Sequence, residues 1–131
     1  MINKVPISIY IHWPFCTSKC PYCDFNSHIQ KNIDDQEWGK GLVSELNYLT
    51  NTSFSKNLDK YYLKSIFFGG GTPSLIESSV IKKIIKQCVK NFKYFSLSNE
   101  VEITLEANPN SITKRKLLNF REAGINRISI G

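Results

Sequence analysis

Three cysteines in one short segment are the residues of this sequence best suited to chemistry. Cys16, Cys20 and Cys23 have the spacing C-x3-C-x2-C. Cysteine thiolates ligate zinc and iron–sulfur clusters. A closed zinc site takes four protein ligands and a cubane cluster has four irons, so three thiolates leave one position open to an outside molecule. The segment predicts an open iron–sulfur site, with a zinc site completed by His12 or His28 as the alternative.

Two further groups could serve such a site. The run GGGTP at residues 69–73 lacks the lysine of a phosphate-binding loop and the spacing of a dinucleotide-binding motif. Because glycine has no side chain, such a run either makes a tight turn or lets a ligand approach the backbone. Glu106 ends a segment in which apolar and polar residues alternate. It is either an ordinary exposed acid or a carboxylate that binds hydroxyl and ammonium donors.

The hydrophobic pattern predicts alternating strands and helices, which favours a parallel α/β sheet, either the front of a barrel or an open doubly wound sheet. Period-two alternation predicts strands at residues 5–11 and 101–106, and further strands are predicted at residues 62–68 and 126–130. Helices are predicted to begin near Asp34 or Asp35, near Glu77, and at Ser111 or Thr113. Their apolar stripes are Trp38, Leu42, Leu46 and Leu49 in the first helix, and Ile81, Ile84, Ile85, Cys88, Val89 and Phe92 in the second.

The candidate site groups all follow predicted strands. The cysteine segment follows the first strand, the glycine run follows the second, and Glu106 lies at the end of the third. In parallel α/β folds, ligands bind at the carboxyl ends of the strands. The topology therefore predicts that the three groups meet at one rim of the sheet.

The cysteine segment resembles the signature of the radical S-adenosylmethionine (SAM) superfamily. The resemblance rests on YIHWPFC at residues 10–16, on Cys20, and on CDFNS at residues 23–27. It implies a partial (β/α)6 barrel in which the three cysteines hold a [4Fe-4S] cluster and SAM binds the fourth iron. Gly70, Gly71, Thr72 and Glu106 match SAM-binding positions of that superfamily, and Tyr10 and Tyr22 match positions near SAM in its coproporphyrinogen oxidase branch.

Within the superfamily, the segment looks most like oxygen-independent coproporphyrinogen III oxidases and their HemW relatives. The oxidases carry a further cysteine two places after the third cluster ligand, where this chain has Phe25. The form CDFNS, without that cysteine, is similar to the segment of HemW. The resemblance therefore implies a haem chaperone. Its implied partners are haem or a porphyrin and an electron donor such as flavodoxin or ferredoxin. The alternatives are an oxidase that decarboxylates coproporphyrinogen through a 5′-deoxyadenosyl radical, and a small zinc-binding interaction module.

Length and composition set the remaining expectations. With 131 residues and four predicted strands, we expect the N-terminal portion of a radical SAM core domain, truncated after its fourth strand and inactive alone. The net charge of +6 comes largely from lysines at helical spacing, which are typical of solvated helix faces, so no nucleic acid is expected. No apolar run long enough for a membrane span and no signal peptide is found, which favours a cytoplasmic protein with reduced cysteines.

Overall fold

Strands and helices alternate along the chain, as the hydrophobic pattern predicts. The computed structural model describes residues 3–18, 21–23, 26–92 and 101–131. In chain order, the strands and α-helices are β1 (Val5–Trp13), β2 (Phe15–Cys16), β3 (His28–Ile29), α1 (Asp35–Leu49), β4 (Tyr61–Gly70), α2 (Ser78–Asn91), β5 (Glu102–Ala107), α3 (Lys114–Ala123) and β6 (Arg127–Ile130).

Local capping interactions fix two of the helix starts. The Asp34 side chain accepts a hydrogen bond from the backbone N–H of Glu37 at 3.1 Å, and the Thr113 side chain accepts one from Lys116 at 3.2 Å. Each cap satisfies a backbone donor that has no partner within its helix. Gly124 ends α3 with φ of +119°, a left-handed conformation that glycine adopts without strain.

The main sheet contains four parallel strands in the order β1-β4-β5-β6. The strands are neighbours in the sheet in the same order as along the chain, and α1 packs on α2, which packs on α3. A doubly wound sheet reverses its strand order at a switch point, and no reversal occurs among these four strands. This arrangement is that of a barrel segment, which confirms the predicted fold class.

The two faces of the sheet differ in polarity because side chains alternate along each strand. The helix-covered face forms the core with the buried faces of the helices, and the opposite face carries polar and aromatic side chains. The core includes Ile11, Trp13, Leu63, Ile66, Phe68, Ile103 and Leu105 from the sheet, and Val80, Ile81, Ile84, Ile85, Cys88 and Phe120 from the helices.

Three details differ from the sequence-based expectations. Strands β2 and β3, two residues each, pair in parallel beside the main sheet and were not predicted. The polar stretch 51–60, for which the sequence pattern predicts no helix or strand, contains a π-helical turn continuing from α1 and a 3-10 turn. The predicted stripe of α1 is only partly buried, because Leu46 is buried whereas Trp38 and Leu49 at its ends are 41% and 46% exposed. Gly39, which is not part of the stripe, is also buried.

Gly39 allows α1 and α2 to approach closely. A Cβ atom at Gly39 would lie 2.6 Å from Cγ1 of Val80, a stiff β-branched side chain. We expect Gly39→Ala to lower the free energy of unfolding by about 1–3 kcal/mol through overpacking. In urea denaturation, the matched control Gly41→Ala, with nothing within 4 Å of its added Cβ, should instead raise it by up to about 1 kcal/mol through helix propensity. Equal gains for both variants would contradict this interpretation.

Among the described residues, none of the helices is both long and apolar enough to cross a membrane.

Candidate functional site

A pocket of about 280 Å³ opens at the carboxyl ends of the sheet strands. Its walls come from the segment after β1, the loop after β4, and the ends of β5 and β6. The lining residues are Cys16, Ser18, Tyr22, Cys23, Gly70, Gly71, Thr72, Pro73, Glu106, Ala107, Asn108, Ser129 and Gly131. The structure thus brings together the three groups that the topology assigned to one rim.

The cysteine segment contributes two described thiols to this pocket. Cys16 lies in β2 and is buried, and Cys23 is half-buried with its Sγ 3.7 Å from Oγ of Ser27. The pairing of β2 with β3 closes the segment into a loop whose two ends are held together. Cys20 lies outside the described residues, so the three-cysteine arrangement stays a prediction.

His12 ties this loop to the end of β1. Its Nε2 lies 2.9 Å from the carbonyl oxygen of Asn26. A carbonyl only accepts, so Nε2 carries the proton, and in the neutral ring Nδ1 accepts from the Tyr10 hydroxyl at 3.4 Å. His12, which the sequence offered as a ligand of the alternative zinc site, thus makes hydrogen bonds that connect strand β1 to the cysteine segment.

The glycine run packs directly against the cysteine segment. The backbone N–H of Gly71 donates to the carbonyl of Trp13, and that of Thr72 donates to Phe15. Gly70 has φ of +114°, and a Cβ there would lie 2.5 Å from the Trp13 carbonyl oxygen. A Cβ at Gly71 would lie 2.9 Å from Sγ of Cys16. The run needs glycine because backbone and thiol occupy the space of a side chain.

The third wall is the end of β5 with its neighbour β6. Glu106 and Ser129 are partners in the parallel register, so they lie side by side on the pocket face of the sheet. Asn108 follows, and its side chain accepts from the N–H of Asn110 at 3.3 Å. This wall adds a carboxylate, an amide and a hydroxyl to the thiols on the opposite side.

The two tyrosines of the predicted site have different positions. Tyr22 lines the pocket and is 85% exposed. Tyr10 lies on the same face of the sheet but lines a second cavity along β1, and its ring stacks on Phe67 at 5.9 Å between ring centres. Burial raises the pKa of Tyr10 above its ordinary value, and the negative charge of Glu106 raises it further. Tyr10 and Glu106 therefore interact electrostatically across the sheet.

Removing the Glu106 charge should lower the pKa of Tyr10. The carboxylate disfavours the tyrosinate, so Glu106→Gln is expected to shift the Tyr10 titration to lower pH. The pKa should stay above the ordinary tyrosine value because burial is the larger cause. The shift is measured from tyrosinate absorbance during a pH titration. The Tyr10 signal is the difference between the proteins with and without Tyr10→Phe, taken once in the wild type and once in Glu106→Gln. An unchanged or raised Tyr10 pKa would contradict the coupling.

Other candidate residues lie away from the pocket. Cys88 is fully buried in α2, where burial raises the pKa of its thiol to about 12, as expected for a core residue. Arg127, the first residue of β6, pairs with Glu102 at the amino end of β5, at a distance of 4.0 Å. The lysines of α2 are exposed, as predicted for a solvated face: Lys82, Lys83, Lys86 and Lys90.

Of the polar residues that line the pocket, Ser18, Asn108 and Ser129 were not among the predicted site residues. Ser129 had a usable signal, since period-two alternation in the last predicted strand places it on the face opposite Ile128 and Ile130. Only the register of β6 against β5 shows that this face meets Glu106. Ser18 lies between two cysteines, and no pattern separates it from other polar loop residues.

Comparisons with known proteins agree with this architecture. The sequence profile of the radical SAM superfamily matches residues 10–131. The heme chaperone HemW of Buchnera aphidicola from Schizaphis graminum is 42% identical over all of this chain and 33% of its own length. HemW of Haemophilus influenzae is 42% identical over 96% of this chain and 32% of its own length. The coproporphyrinogen III oxidase HemN of Escherichia coli has a TM-score of 0.68 at 24% identity, covering 98% of this chain and 28% of HemN.

The chain belongs to the radical SAM superfamily. Within it, the chain is similar to HemW heme chaperones, and it spans about a third of the length of these relatives. The likeness to HemN concerns the fold alone, and this chain matches the N-terminal part of the HemN fold. Superfamily membership implies in general a [4Fe-4S] cluster and SAM.

Proposed function

We propose that this chain binds a [4Fe-4S] cluster and SAM and acts as a HemW-like heme chaperone in haem and porphyrin metabolism. The proposed cluster ligands are Cys16, Cys20 and Cys23. The proposed SAM-binding residues are Tyr10, Tyr22, Gly70, Gly71, Thr72 and Glu106. The domain is proposed to be the N-terminal portion of a radical SAM core.

One observation carries the proposal: a single pocket is lined by two of the predicted cluster thiols, by the glycine run and by Glu106. These groups come from three separate segments of the chain. Open pockets with a few convergent polar groups at the carboxyl ends of parallel strands are the usual location of ligand sites in this fold class.

The chemistry of the lining residues fits both groups. Thiolates are the protein ligands of iron–sulfur clusters. The N–H groups of Gly71 and Thr72 already donate to the carbonyls of Trp13 and Phe15. The proposed contact of this run with an ammonium group is therefore through a backbone carbonyl, which accepts. Glu106 is likewise an acceptor and suits the hydroxyl or ammonium donors of SAM.

The protein's own residues would bind and orient SAM, while the cluster, when bound, supplies an electron at low potential. His12 and the β2–β3 pair hold the cysteine loop against the rim. Because Gly70 and Gly71 lack side chains, the glycine run packs against Trp13, Phe15 and Cys16, and its backbone forms the pocket wall beside Cys16. On the opposite side of the pocket, Glu106 would accept hydrogen bonds from SAM.

The haem part of the proposal rests on similarity. Proteins named heme chaperone are 42% identical to this chain over nearly all of its length. We propose haem or a porphyrin as the further partner and flavodoxin or ferredoxin as the type of electron donor. We further propose that the protein works in the cytoplasm.

Anaerobic reconstitution of the purified protein with iron and sulfide tests the cofactor proposal. The expected result is a brown protein with about four irons per chain. Its reduced electron paramagnetic resonance spectrum should change when SAM is added, because SAM binds the open iron. Stoichiometric zinc without iron, or a cluster spectrum indifferent to SAM, would overturn the proposal.

A haem titration tests the chaperone proposal separately. The expected result is a Soret band that saturates at a fixed haem-to-protein ratio, with no loss of carboxylates from added coproporphyrinogen. Decarboxylation of coproporphyrinogen in the presence of SAM and reductant would instead establish an oxidase.

A further inference from the structure

Lys116 joins two loops that line the pocket. Its Nζ donates to the carbonyl of Ser111 at 3.1 Å and reaches the carbonyl of Ser74 at 3.5 Å. Ser74 follows the glycine run after β4, and Ser111 ends the turn after β5 that begins at Asn108. One ammonium group thus contacts both loops, although Lys116 itself lies on α3 and does not line the pocket.

Two hydrogen bonds made by serine hydroxyl groups also connect these loops. Oγ of Ser111 donates to the carbonyl of Asn108 at 2.7 Å. Because a serine hydroxyl has one proton, Ser74 is then the donor in its contact with Oγ of Ser111. Ser74 has no exposed surface, so its hydroxyl depends on a protein partner.

The position of Lys116 in its helix is unfavourable for a cation. It lies in the first turn of α3, which contains Lys114, Arg115 and Lys116 and no acidic residue. The amino end of a helix carries partial positive charge, so a lysine there raises the free energy of the folded state. Lys116 offsets this cost through the two carbonyls, whereas Lys114 and Arg115 are exposed.

We propose that Lys116 is a positioning residue that fixes the spacing between the loop after β4 and the turn after β5. This inference rests on the proposed function. The spacing sets the affinity for SAM, because one loop carries Gly71 and Thr72 and the other follows Glu106. Lys116 acts through these loops and not by touching the ligand.

The test compares Lys116→Met with Arg115→Met. Both remove one unfavourable charge from the same helix turn and keep an apolar stem, so neither should lower the melting temperature. Hydrogen exchange is read at the amides of Leu75, Ile76 and Ser111, whose hydrogen bonds close the two loops. Lys116→Met is expected to speed exchange at these amides by about fivefold or more, and Arg115→Met to leave them unchanged.

Calorimetric titration of the reconstituted protein supplies the functional measurement. Lys116→Met should weaken SAM binding by about tenfold, at unchanged iron content, and Lys116→Arg should restore most of the affinity. Unchanged exchange in Lys116→Met, or equal changes in Arg115→Met, would overturn the positioning role of Lys116 whatever the affinity for SAM. If the wild-type protein fails to bind SAM but exchange still rises in Lys116→Met, the proposed function is rejected and the positioning role of Lys116 stands.

Discussion

A Cys16→Ala variant is expected to assemble almost no iron–sulfur cluster. Cys16 is buried in β2, and its Sγ faces the glycine run at the inner wall of the pocket. If Cys16, Cys20 and Cys23 are the cluster ligands, as proposed, removing one of them would leave two irons without a protein ligand and weaken cluster binding. We expect iron and sulfide below about a tenth of the wild-type content after anaerobic reconstitution.

Cys88→Ala is the matched control, since it removes a thiol from the same chain outside the pocket. Cys88 is fully buried, and burial raises the pKa of its thiol to about 12, so it remains a neutral core side chain. We expect a modest loss of stability from the small cavity and a full complement of iron. Full iron content in Cys16→Ala, or equal iron loss in Cys88→Ala, would refute the proposed ligand set.

The order of strands and helices was predictable because each element has a hydrophobic periodicity of its own in the sequence. The stripe of α2 from Ile81 to Phe92 follows the helical period, and β5 alternates between Ile103 or Leu105 and its polar neighbours. Parallel pairing then places every strand end on one rim, which is why Cys16, Gly71 and Glu106 converge. No side-chain coordinates are needed for that inference.

Contacts between elements were not predictable from these patterns. Gly39 reads as a weak helix residue, and only the packing of α1 on α2 shows that Val80 occupies the space beside it. Trp38 fits the apolar stripe of α1, yet it remains 41% exposed and packs edge-to-face on Phe15. Lys116 resembles the other solvated lysines until the two loops are seen to meet at its ammonium group. Each depends on a distance between segments far apart in sequence.

A Gly71→Ala variant is expected to disturb the cluster loop without removing a ligand. The added Cβ would lie 2.5 Å from the carbonyl oxygen of Phe15, 2.8 Å from its carbonyl carbon and 2.9 Å from Sγ of Cys16. Backbone atoms cannot rotate away as a flexible side chain can, so the β1–β2 connection has to move. We expect a loss of about 1–3 kcal/mol in the free energy of unfolding and severalfold less cluster per folded chain.

Gly39→Ala separates the local effect from general instability. It introduces a clash of similar severity between α1 and α2, away from the pocket residues. If cluster assembly requires only a stable fold, the two variants should lose cluster in proportion to their loss of stability. If the glycine run sets the position of Cys16, Gly71→Ala should lose far more cluster than Gly39→Ala at equal stability. Iron content plotted against the urea midpoint of each variant distinguishes the two cases, and coincident points would show that Gly71 has no specific role at the cluster.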